Sequence, residues 1–228
     1  MELNRVNLVH RLVPVRHVII SVADKSGLPE FVRALVRLAP DVRIYSTGGT
    51  ARLVAEVLGE ASSHHLVPIS SYTGQPEMQG GLVKTLDFKI YMGLLSETYN
   101  EEHRKDMART GAVPFDMVVV NLYPFEKAVS EAGATLEDGR THIDIGGPCM
   151  LRAAAKNFLR VAAVSDPSQY GRVLEDLEVN TGATSYELRL SLAREVFART
   201  SAYDRAIARF LEHVPATFED SPYEEPEA

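Results

Sequence analysis

Short apolar runs alternate along this chain with stretches of helical period. His17–Val22, Val42–Tyr45, Met117–Val120 and Val161–Val164 are brief and β-branched, as expected of strands buried on both faces. Gly27–Leu38 carries apolar residues at Leu28, Phe31, Leu35 and Leu38. Thr50–Leu58 follows the second run and Pro167–Leu177 the fourth, so all three segments read as helices. Strands alternating with helices predict an α/β fold: a three-layer, mainly parallel sheet with helices on both faces. Tyr186–His213 predicts a long closing helical segment, its apolar stripe supplied by Leu188, Leu192, Val196, Tyr203, Ile207 and Phe210. The polar region Ser62–Gly81 has no clear period. The pattern predicts one domain over residues 1–215, with a helical extension over about 184–213 and an acidic, disordered tail over 216–228.

Composition narrows the classes. With 228 residues and 45% apolar content, the chain has ample material for a buried core. Net charge is −7 and the 24 basic residues are dispersed, which argues against a nucleic-acid partner and requires any anion site to be built locally. The single cysteine, Cys149, rules out an internal disulfide and fits a reducing compartment. Glu2, Arg5, His10, Arg11, Arg16 and His17 interrupt every candidate signal-peptide core, and no run reaches membrane-spanning length, so a cytoplasmic protein without a membrane partner is predicted.

The polar motifs fall where the predicted strands run into helices, which in open α/β sheets is where ligands bind. The first strand enters Ser21-Val22-Ala23-Asp24-Lys25-Ser26-Gly27 and the second Ser46-Thr47-Gly48-Gly49-Thr50. Gly48 and Gly49 let backbone N–H groups approach an oxyanion, while the hydroxyls of Thr47 and Thr50 can cap the helix or bind the same group. Lys25 adds a full charge, which suits a phosphomonoester. A capped turn is the plain alternative for either loop alone. The third strand leads into Asn121-Leu122-Tyr123-Pro124-Phe125, which holds Tyr123 at the sheet mouth either as a polar group or as an amphipathic cover.

The segment Ile143–Asn157 reads I-D-I-G-G-P-C-M-L-R-A-A-A-K-N. Pro148 suits the first position of a helix, which puts Asp144 just before its start and Lys156 beyond three alanines. The bland reading is a tight loop, a small-residue packing helix and a solvated lysine. In Gly80-Gly81-Leu82-Val83-Lys84-Thr85-Leu86 a lysine follows two permissive glycines, which alone says little. His64-His65 lacks helical metal-ligand spacing and reads as solvated loop, so no metal site is predicted. Cys149 reads as a small packing residue.

Together A-D-K-S-G, S-T-G-G-T, V-K-T-L, N-L-Y-P-F, I-D-I-G-G-P and L-R-A-A-A-K-N occur in the order and spacing of the IMP cyclohydrolase domain of the bifunctional AICAR transformylase/IMP cyclohydrolase family. The likeness runs from about Arg16 to T-S-A-Y-D-R-A-I-A at Thr200–Ala208. It implies a methylglyoxal-synthase-like fold, a homodimer, and closure of the purine ring of FAICAR to IMP and water with neither metal nor organic cofactor. The transformylase domain that normally follows is absent, so the resemblance implies that a separate protein formylates AICAR.

By this resemblance Lys156 is the proton donor/acceptor, Asp144 orients or deprotonates the carboxamide, Lys84 offsets the developing oxyanion and Tyr123 donates in the same cluster. The phosphate lies against Ala23, Asp24, Lys25, Thr47, Gly48, Gly49 and Thr50, while Val83, Thr85, Asn121 and Ile145 match further nucleotide contacts. The family pattern R-V-K-T-L-H-P-x-x-H departs here: Leu82, Asp87 and Tyr91 replace an arginine and two histidines. Weaker substrate binding or a shifted pH optimum is the expected consequence. A phosphate-binding regulatory module of the same fold and a methylglyoxal-synthase-like lyase are the alternatives.

Overall fold

The computed structural model describes residues 5–75 and 85–226. Leu82, Val83 and Lys84, with the contacts expected of them, lie outside the described residues. Among the described residues there are seven strands: β1 (Leu12–Pro14), β2 (His17–Val22), β3 (Arg43–Ser46), β4 (Leu66–Pro68), β5 (Met117–Asn121), β6 (Ala162–Val164) and β7 (Ala183–Ser185). Five of them form a parallel sheet in the order β4-β3-β2-β5-β6, with Ile20 opposite Ser46, Val22 opposite Asn121 and Val119 opposite Val164. All carboxyl ends therefore share one edge. From β2 the chain steps outward to β3 and β4 and returns to β5 on the other side of β2, so the switch point lies between β2 and β5.

The helices are α1 (Leu28–Leu38), α2 (Gly48–Leu58), α3 (Ser62–His65), α4 (Ile69–Thr73), α5 (Phe88–Leu95), α6 (Glu101–Thr110), α7 (Phe125–Ser130), α8 (Leu136–Thr141), α9 (Gly146–Lys156), α10 (Tyr170–Val179) and α11 (Tyr186–Leu211). Alternation along the strands divides the core in two. Val18, Ile20 and Val22 join Leu28, Phe31, Leu35, Val54 and Val173 on one face, while Ile19, Val118 and Val120 join Ile90, Leu94, Leu151 and Val196 on the other. Ala153, Ala154 and Ala155 are buried in that second core, so the absence of bulk lets α9 lie against the sheet and α11.

β2 and α11 start where the pattern places them, but several elements differ. The region Ser62–Gly81 holds α3, β4 and α4. There His65 is buried with its ring Nδ1 2.8 Å from the Val42 carbonyl oxygen, so it is not a solvated loop residue. β1 and β7 form a separate antiparallel pair. The fully buried Arg189 of α11 reinforces that pair by donating to the Thr184 carbonyl of β7 at 2.5 Å and to the His10 carbonyl just before β1 at 2.8 Å. Beyond α11 the segment to Pro226 has no regular element, and the Tyr223 hydroxyl bonds Glu137. Among the described residues no helix is long and apolar enough to cross a membrane.

Candidate active site

The β2–α1 and β3–α2 loops meet at the carboxyl edge of the sheet. α2 begins at Gly48, whose φ of 56° favours glycine, behind an extended Thr47 whose side chain does not cap the helix. The first-turn N–H groups and the positive end of the helix dipole thus face the loop. Two cations approach the same backbone: Arg52 Nη2 and Lys25 Nζ stand 3.9 Å and 4.0 Å from where a Cβ on Gly49 would be. Arg52 was not among the residues expected here. Its signal was its place in the first turn after the double glycine.

Other residues expected to hold the ligand also shape its loops. Asn121 Oδ1 accepts the N–H groups of Ala23 at 2.7 Å and Asp24 at 2.9 Å, and Nδ2 donates to the Asp24 carbonyl at 2.7 Å. Those two N–H groups are committed to Asn121. The buried Thr50 hydroxyl accepts the Val22 N–H and donates to the Val22 carbonyl, both at 3.2 Å, so it staples α2 to β2. Asp24 takes the Ser26 N–H at 2.9 Å and the Ser26 hydroxyl at 2.6 Å, and the hydroxyl bond above all holds its carboxyl below the usual range.

The second half of the site is built at the start of α9. The helix opens at Gly146, so Pro148 occupies its third position rather than its first, still within the turn that needs no intrahelical donor. Asp144 Oδ1 accepts the Gly147 N–H at 2.9 Å. A Cβ on Gly147 would collide with that carboxylate and stand 3.0 Å from Leu122, so glycine alone permits the fold-over. Burial pushes the Asp144 carboxyl above its ordinary range, opposed by the backbone N–H groups of Gly147 and Tyr123. Tyr123 is therefore brought to Asp144 through its main chain, with its side chain 57% exposed at the mouth. Ile145 is exposed beside it, and the buried Thr85 places its hydroxyl 2.8 Å from where a Cβ on Gly146 would be.

Lys156 lies at the opposite end of the same helix. It is the last residue of α9, exposed, and the ten-step rise from Gly146 at 1.5 Å per residue separates the helix ends by ~15 Å. Its neighbour Asn157 donates to Leu94 and Ser96 carbonyls at 2.8 Å and 2.9 Å.

The departures from the family pattern also find places. Asp87 is the N-cap of α5, accepting the Lys89 N–H at 2.8 Å, so its charge serves the helix. Tyr91 of α5 brings a hydroxyl that is sealed from solvent beside Cys149, and burial above all pushes its ionisation upward, with Cys149 and Asp144 contributing. Cys149 is exposed rather than packed. Among the described residues no group of three or more His, Cys, Asp or Glu side chains could hold a metal ion.

Two family models match the chain: MGS-like domain over residues 27–149 and AICARFT/IMPCHase bienzyme over residues 154–226. The bifunctional purine biosynthesis protein PurH of Magnetococcus marinus is 47% identical over 200 residues, covering 88% of this chain and 36% of that protein. PurH of a Chelativorans species is 48% identical over 203 residues, again covering 88% and 36%. The chain thus spans about a third of the length of the curated relatives it matches. A solved structure, "Crystal structure of ForH", superposes with a TM-score of 0.73 at 33% identity, covering 86% of this chain and 99% of that one.

Proposed function

The chain belongs to the MGS-like domain family, and on that premise we propose that it is an IMP cyclohydrolase, closing the purine ring of FAICAR to give IMP and water in purine biosynthesis. The observation that carries the reading is the Asp144 carboxylate, held by the Gly147 N–H beside Leu122 just past β5, at the sheet edge where Lys25 and Arg52 also converge on Gly49. The PurH names of the relatives and the AICARFT/IMPCHase match support the same pathway.

The reacting groups belong to one molecule, so orientation and charge placement dominate. The carboxamide nitrogen attacks the formamide carbon and loses a proton as the carbonyl oxygen becomes a hydroxyl. That hydroxyl then leaves as water with the proton of the former formamide nitrogen. Asp144 accepts from the carboxamide N–H, and its upward-shifted carboxyl makes it a better base than an exposed aspartate. Tyr123 donates to the developing oxyanion and Lys84 offsets its charge. Lys25 and Arg52 grip the phosphate at the start of α2. Lys156, the exposed last residue of α9, serves in this proposal as the proton donor/acceptor, as the resemblance implies. A homodimer completes the proposal.

The test is IMP formation from FAICAR by the purified protein, followed by absorbance, with Asp144→Ala as the control. Turnover lost in the variant supports the reading. Thermal stabilisation by IMP without turnover would assign a regulatory binding module, and methylglyoxal from dihydroxyacetone phosphate would assign a lyase.

A further inference from the structure

We infer that Tyr203 of α11 is a positioning residue for Asp144, acting through the main chain of the loop that enters α9; the inference rests on the cyclohydrolase reading for its catalytic consequence. The Asp144 N–H donates to the Tyr203 hydroxyl oxygen at 2.7 Å, and that hydroxyl donates to the His142 carbonyl at 3.3 Å. One phenol thus bridges two main-chain groups that bracket the approach to Asp144. On its other side the aspartate is held through its carboxylate by the Gly147 N–H. Peptide and side chain are therefore fixed by different elements, and neither bond alone sets the carboxylate direction.

The phenol is itself held in place. Its ring meets Phe125, the first residue of α7, edge-on at 6.1 Å, and Phe125 in turn meets Phe210 of α11 at 5.6 Å. Phe210 packs directly over Gly139 of α8, where any side chain would strike its ring. This aromatic row ties α11 to the helix that follows Tyr123 and to α8, which runs into the loop before Asp144. Both sides of the carboxylate are referenced to the same helix. α11 is 26 residues long, packs along α9 and is locked at its other end by buried Arg189, so it is a rigid reference. Burial pushes the Tyr203 phenol upward, which keeps the proton that His142 receives. The bond also joins the two matched regions of the chain, Asp144 lying in residues 27–149 and Tyr203 in residues 154–226.

An ångström of misplacement at a reacting group costs on the order of 100-fold in rate, whereas substrate affinity set at the phosphate loops is untouched. Tyr203→Phe keeps the ring and removes the bridge. The expected result is a kcat lowered about 10- to 100-fold with KM changed less than about threefold and the unfolding midpoint near that of the parent protein. In an Asp144→Asn background the same substitution changes the residual rate less than about twofold, because the group it positions is already gone. Additive losses in the double variant, or kcat and KM deteriorating together with the unfolding midpoint, would overturn the inference. Amide hydrogen exchange separates the inference from the activity on which it rests. Tyr203→Phe accelerates exchange at the Asp144 amide whether or not the protein forms IMP, and unchanged exchange there overturns the clamp. Absence of IMP formation by the parent protein would instead overturn the cyclohydrolase reading.

Discussion

Asn121 and Asp24 are joined by two hydrogen bonds running in opposite directions: the Asp24 N–H donates to Asn121 Oδ1 at 2.9 Å, and Asn121 Nδ2 donates to the Asp24 carbonyl at 2.7 Å. Since Val22 already pairs with Asn121 in the sheet, the side chain extends the β2–β5 pairing past the strand ends and forms the loop before a ligand arrives. Asn121→Ala leaves the N–H groups of Ala23 and Asp24 without their partner at a position only 9% exposed. The expected cost is ~1–3 kcal/mol in denaturant unfolding, with a raised KM for the nucleotide. Unchanged stability would show that water satisfies the loop as well as the amide does.

Some of this was legible in the residues and some was not. β2 matches its apolar run residue for residue, and the starts of α1 and α11 fall within one residue of the pattern, because six or more positions carry a period. β1, β4 and β7 have three residues each and, unlike the equally short β6, are not marked by an unbroken apolar run, and their pairing depends on distant partners. At the site, Asp144 and Lys156 look adjacent in a fifteen-residue motif, yet the helix between them carries the lysine to its far end. Thr50 and Asn121 stand out as polar residues in the motifs where strands pass into helices, but no pattern distinguishes binding a ligand from holding the loop that binds it. Tyr203 was legible only as part of an apolar stripe; its hydroxyl's partner is 59 residues away.

Arg52 and Lys25 converge on Gly49 from different helices and loops, and like charges so placed call for an anion. Arg52→Ala is expected to raise the KM for FAICAR about tenfold and to flatten the salt dependence of IMP binding, with kcat little changed. Inorganic phosphate, titrated as a competitor, should lose affinity in parallel. A variant that binds phosphate as the parent does would remove Arg52 from the site.

Gly147→Ala separates helix propensity from catalysis. Alanine favours a helix by about 1 kcal/mol over glycine, but the added Cβ runs into the Asp144 carboxylate and stands 3.0 Å from Leu122. The carboxylate is the more movable neighbour, so the strain is relieved by turning it away. The expected variant keeps its unfolding midpoint within a few degrees and loses on the order of 100-fold in kcat. A fully active variant would show that Asp144 does not need the fold-over conformation.

Asp144→Asn should reveal the energetic cost of the site through its pH dependence. Burial raises the folded carboxyl above its unfolded value of ~3.9, so the folded protein holds that proton more tightly than the unfolded chain. The corresponding stability is fully present below the unfolded value and is lost as pH rises through the folded one. At neutral pH the parent protein therefore carries a buried charge that an asparagine cannot acquire, while the asparagine Oδ1 still accepts the Gly147 N–H. The variant is expected to unfold at an equal or higher temperature than the parent at pH 7, with the difference shrinking toward pH 4, and to lose at least ~100-fold in kcat. Thermal melts across that range check the sign: a variant less stable at pH 7, by a margin that narrows in acid, would mean that the ionised carboxylate stabilises this fold and that activity and stability are not opposed at Asp144.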